Sequence, residues 1–150
     1  PPRSTLFPYT TLFRSVLFCD RAGTVAAAAH AGWRGLLAGV LEQTLATMGC
    51  PAGTILAWLG PAIGPDHFEV GDEVRSAFIA RNAEAAGAFR AAGGGKWLAD
   101  LYTLARLRLS IAGVAGIYGG GGCTFAEHER FFSYRRDGVT GRQASLIWLS

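Results

Sequence analysis

The sequence predicts an α/β domain, and three observations carry that reading. Short apolar runs alternate with stretches of helical periodicity from Val16 onward. The 150 residues, 50% of them hydrophobic, are enough for one domain with a real core and too few for two. No internal repeat or interdomain linker interrupts the alternation, so residues 16–150 are read as one domain.

The elements follow in chain order. Val16-Leu17-Phe18-Cys19 is a short buried strand, Asp20 to Gly23 a turn, and Thr24 to His30 a second strand, together a hairpin. Leu36, Leu37, Val40, Leu41, Leu45 and Met48 recur at helical spacing, and Gly49 with Pro51 ends that helix. Thr54 to Leu59 is a strand, followed by the rigid loop Gly60-Pro61-Ala62-Ile63-Gly64-Pro65, with His67 and Phe68 just beyond it. Asp72 to Ala80 reads as a helix, and Asn82 to Gly95 is alanine- and glycine-rich with weak periodicity. Asp100 caps a helix running to about Ala112, which Gly113 stops. Val114 to Tyr118 is a strand, Gly119 to Gly122 a flexible corner, and Ala144 to Leu149 a last buried strand.

Composition excludes several classes. The net charge of +3 arises from 14 basic and 11 acidic residues without a long basic tract, so nucleic acid is not expected as a partner. Cys19, Cys50 and Cys123 are an odd number without Cys-x-x-Cys spacing, which argues against a disulfide framework and favours a cytoplasmic setting. No apolar run reaches membrane-span length, and no secretory signal opens the chain. Residues 1–15 do not read as the start of a domain: Thr5 to Ser15 resembles the in-frame translation of a sequencing-library adapter. We read them as a non-native scar.

Chemistry concentrates in His30-Ala31-Gly32-Trp33-Arg34-Gly35. An apolar strand breaks there into a helix start, projecting one imidazole from the strand end, where open α/β sheets keep their sites. Gly32 and Gly35 are expected to free the backbone at the turn. Phe131 to Asp137 with Thr140-Gly141-Arg142 combines aromatic rings with guanidinium groups, a set that suits either a flat heterocycle and an anion or an ordinary surface cluster. The glycine run at 119–122 lacks the context of a phosphate loop, and Glu127, His128 and Glu129 read as a solvated loop.

These motifs, with Gly60 to Pro65, Phe68-Glu69-Val70-Gly71 and Cys123-Thr124, stand in the order and spacing of the YfiH-like laccase-domain family, which the chain resembles from Val16 to Ser150. The resemblance implies a layered sandwich of mixed β-sheets with flanking helices, here incomplete at its N-terminus by about 100 residues. The family has been described as polyphenol oxidase and as a purine nucleoside phosphorylase that also deaminates adenosine and cleaves methylthioadenosine. Purine nucleosides and phosphate are the implied partners, with the oligomeric state open.

The resemblance further implies a metal centre of two histidines and one cysteine. His30 matches the second histidine. The first belongs to a Gln-Val-His segment this chain lacks, and the cysteine to an Asp-Cys-Leu-Pro segment directly before Val16, where Phe13 now stands. Cys19 is read as a small buried thiol and not as a replacement. The mixed nitrogen and sulfur set suits zinc, with copper as the alternative. Arg34 is the candidate for orienting phosphate or ribose, with Arg135 and Arg136 as contributors. With one of three ligands present, the polypeptide itself is expected to be inactive.

Overall fold

A computed structural model describes residues 15–149. The adapter-like reading of residues 1–14 therefore lies outside the described residues. Ser15, grouped with them above, is the first residue of strand β1 (Ser15–Asp20). This strand pairs antiparallel with β2 (Ala26–His30), as the hairpin reading expects, and Asp20 anchors the turn. Its carboxylate accepts hydrogen bonds from the N–H groups of Thr24 and Val25 and from the Thr24 hydroxyl, which hold it below the usual carboxylate range.

The helical stretch that follows is two helices, α1 (Trp33–Ala38) and α2 (Val40–Met48), where the sequence predicts one. Gly39 separates them at φ 90°, a left-handed conformation that ends one helix and starts the next. Strand β3 (Ile55–Leu59) pairs antiparallel with β1, and β7 (Gly116–Gly119) pairs parallel with β3, giving a mixed four-stranded sheet of order β2-β1-β3-β7.

Helices α3 (Asp72–Arg81) and α4 (Leu101–Ile111) form where predicted. The Asp100 carboxylate accepts from the Tyr102 and Thr103 N–H groups, the expected cap, and Gly113 ends the turn at φ 83°. A second sheet of three strands agrees with the sandwich of sheets that the resemblance implies, although none of its strands is read from the sequence. It comprises β4 (Glu69–Gly71), β5 (Phe89–Gly93) and β6 (Lys96–Ala99) in the order β4-β6-β5. Residues Ala83–Ala88, in the segment with weak periodicity, form a short 3-10 helix that leads into β5.

Strand alternation sorts the four-stranded sheet into two faces. Val16, Phe18, Ala29, Ile55, Ala57 and Leu59 point into a core shared with Leu36, Leu41, Leu45, Leu104 and Leu109. Ser15, Cys19, Ala28, His30, Trp58 and Tyr118 belong to the other face, where Trp58 is 41% and Tyr118 57% exposed.

The predicted last strand is corrected. Residues 144–149 have no regular secondary structure, and Leu146 and Trp148 are 76% and 77% exposed. A strand needs a neighbour for its N–H and C=O groups, and among the described residues none pairs with this segment. No helix among the described residues is long and apolar enough to cross a membrane.

Candidate functional site

The antiparallel register sets Ser15 opposite His30, so the imidazole stands where β1 begins and β2 ends. Gly32 and Gly35 flank it, but neither has a positive φ. Their requirement is close approach instead: a Cβ on Gly32 would lie 3.3 Å from His30 Nε2, and one on Gly35 would lie 3.1 Å from the His30 carbonyl oxygen. Helix α1 therefore begins pressed against the histidine, with Arg34 in its first turn and the guanidinium 4.5 Å from the Trp33 ring centroid. Cys19 shares the sheet face of His30 but pairs with Ala26, four residues along the strand, about 13 Å away at strand rise. It is half-buried and too distant to join His30 around one ion.

Beside Ser15 opens a cleft of about 190 Å³ lined by Trp58, Pro61, Arg130, Phe131, Gln143 and Ser145. The sequence reading singled out Phe131 but missed Trp58, whose exposure depends on the sheet face it takes.

The loop from Gly60 to Pro65 is held at Gly60 and at Ala62. The Gly60 N–H donates to the Ser15 carbonyl at 2.9 Å, and the Ala62 N–H donates to the Tyr102 hydroxyl at 2.7 Å. That hydroxyl in turn donates to the Gly122 carbonyl at 2.6 Å, and burial pushes the phenol above its ordinary range, keeping it a neutral donor. Tyr102→Phe would leave the Ala62 N–H and the Gly122 carbonyl without this partner. It is expected to cost about 1–3 kcal/mol in a urea unfolding titration, and a change within error would refute the bridging role.

The arginine pair divides. The Arg136 guanidinium donates to the Thr124, Phe125 and Phe131 carbonyls and forks onto Asp137 at 2.7 Å. These bonds engage all of its N–H donors, so Arg136 ties loop 124–131 to the short helix α5 (Tyr134–Asp137) and has none left for an anion. Its guanidinium holds the Asp137 carboxyl below the usual range. Arg135 stays exposed, with its guanidinium 5.2 Å from the Phe68 ring centroid. Arg34, at the start of α1, is exposed like Arg135.

Glu127, read as part of a solvated loop, is a structural cap. Its carboxylate accepts from the Cys123 N–H at 2.6 Å and pairs with Arg130, and the first of these bonds does most to hold it below the usual carboxylate range. Cys123 itself faces His67, a contact across 56 residues that no local pattern announces.

Residues 14–150 match the family described as multi-copper polyphenol oxidoreductase laccase. The chain belongs to that family. Its laccase-domain relatives include a protein of Escherichia coli named purine nucleoside phosphorylase YfiH, 63% identical over 134 residues. A purine nucleoside phosphorylase of Pseudomonas aeruginosa is 60% identical over the same length. Each alignment covers 89% of this chain and 55% of the relative, so the chain spans about half the length of the curated relatives it matches. The fold agrees with the crystal structure of a Neisseria meningitidis protein, at a TM-score of 0.88 and 62% identity over 91% of this chain and 56% of that one.

The metal centre implied by the laccase-domain resemblance is not assembled by these residues alone. Among the described residues no three His, Cys, Asp or Glu side chains gather as a metal-holding group.

Proposed function

We propose that residues 16–150 carry one part of the active site of a purine nucleoside phosphorylase, completed only in a protein of the relatives' full length. The observation that carries this reading is the placement of His30. It stands at the strand end where β1 begins, so a segment entering β1 from its N-terminal side, where the family's cysteine segment belongs, arrives beside the imidazole. The names of the relatives, at 60% and 63% identity, support the reaction class.

In phosphorolysis a phosphate oxygen bonds to the ribose carbon as the bond from that carbon to the base nitrogen breaks, and the base leaves carrying a proton. Arg34 and Arg135 supply guanidinium forks for the phosphate. Trp58 and Phe131, on the cleft beside Ser15, supply flat faces for the purine. Adenosine and methylthioadenosine are further substrates in this reading, with deamination of adenosine as a second reaction. Zinc is the assigned metal of the longer protein, because a mixed histidine and cysteine set suits it better than a multi-copper centre.

The deciding experiment gives inosine to the full-length protein with and without phosphate. Phosphate-dependent release of hypoxanthine is expected, and no turnover by the 150-residue chain. Oxidation of a phenol with no nucleoside turnover would replace this reading by that of a copper polyphenol oxidase.

A further inference from the structure

Cys123 has no part in the chemistry above, yet its surroundings differ from those of the other two cysteines. Its sulfur lies 3.6 Å from His67 Nδ1, within reach of a thiol hydrogen bond. The Gly64 N–H donates to the same sulfur at 3.2 Å and the Ala126 N–H at 3.4 Å. His67 is stacked on Phe125, with ring centroids 4.7 Å apart and planes 26° from parallel, which orients the imidazole. The sulfur sits in a cradle open only to glycine, since a Cβ on Gly64 would fall 3.0 Å from it. Cys19 and Cys50 are also half-buried, and among the described residues the Cys–His contact belongs to Cys123.

We propose that Cys123 is a base-assisted thiol nucleophile, with His67 as its base, and that small peroxides oxidise it to a sulfenic acid. Nucleophile and base stand within reach and the base is oriented by a third group, the arrangement that activates side-chain nucleophiles. As the sulfur attacks one oxygen of hydrogen peroxide, its proton passes to His67 Nδ1. The S–O bond forms, the O–O bond breaks, and the imidazolium returns the proton to the departing hydroxide as water. Sulfur loses two electrons and the peroxide gains them. The Gly64 and Ala126 N–H groups point their positive ends at the sulfur, where negative charge develops as the proton leaves. This assignment is independent of the nucleoside reaction, because it needs nothing beyond the described residues.

The test uses the 150-residue chain, with Cys19 and Cys50 as internal references. Iodoacetamide at neutral pH, followed by peptide mass spectrometry, is expected to alkylate Cys123 roughly 10-fold or more faster than either reference and faster than Cys123 in the urea-unfolded chain, a modest share of what a positioned base supplies. His67→Ala should remove that advantage and added imidazole should restore it, which a merely structural histidine would not do. Hydrogen peroxide followed by dimedone should label Cys123 first. Should His67→Ala fail to fold by circular dichroism, His67→Gln replaces it, and the native-against-urea comparison of the unaltered chain stands by itself. A Cys123 no faster in the folded chain than in urea, or an undiminished rate without the imidazole, would overturn the assignment.

Discussion

Replacing His30 by alanine in a protein of the relatives' full length is expected to cut phosphate-dependent base release by roughly 100-fold or more. Loss of an outer partner at a metal site already costs about 10–100-fold, and the proposed function would put His30 in the inner set. Stability should change by under about 1 kcal/mol, because the side chain is exposed at a strand end and leaves no core cavity. The two readouts separate a functional residue from a structural one. Cys19→Ser is the matched control: it lies on the same sheet face, about 13 Å along the strand, and should leave turnover intact. A His30→Ala protein that keeps full turnover, or a Cys19→Ser protein that loses it while folded, would remove His30 from the centre of the reading.

Gly119→Ala is expected to destabilise the fold by about 2–5 kcal/mol, from a left-handed backbone disfavoured for alanine and a steric conflict of comparable size. Gly119 ends β7 at φ 77°, and a Cβ there would stand 2.4 Å from the Leu59 carbonyl oxygen and 2.9 Å from Trp58 Nε1. Both obstacles belong to β3, the paired strand, so relief requires shifting the sheet. Arg106 adds to the constraint by donating to the Gly119 carbonyl at 2.5 Å. Gly121→Ala, two residues on, meets nothing within 4 Å and should change stability by under about 0.5 kcal/mol. Urea unfolding of the two variants measures the contrast. Equal effects would show that this corner tolerates side chains and that Gly119 is not needed for close approach.

Local patterns were reliable where local chemistry decides. Asp100 caps α4 through two backbone N–H groups within three residues, and the Asp20 turn closes between neighbours. Both can be read along the chain because donor and acceptor are close in sequence. The break at Gly39 was hidden because the leucine spacing continues across it, while the left-handed glycine divides the helix. The strands of the second sheet were hidden for another reason. Strand β5 offers one large apolar residue, Phe89, and becomes a strand through its register with β6, across a turn in which Gly93, Gly94 and Gly95 all have positive φ. The opposite error occurred at residues 144–149, where apolar character promised a buried strand and no described neighbour accepts it.

The site divides in the same way. Residues 30–35 announced themselves as a strand end meeting a helix, and the structure places them so. Arginine at 136 could not be told from arginine at 135 by composition, because only the folded loops bring the Thr124, Phe125 and Phe131 carbonyls to its guanidinium. The contact of Cys123 with His67 is of that kind too.

Read alone, the chain established its α/β class, the position of the histidine and the helix capped by Asp100, because each depends on periodicity or on partners a few residues apart, while its family was legible only through the resemblance of long motifs. Tertiary structure decided which sheet face holds His30, which arginine keeps its donors, and which cysteine meets an imidazole. Those outcomes rest on pairings between residues far apart in sequence, whose register and approach distances are set only when the whole core packs.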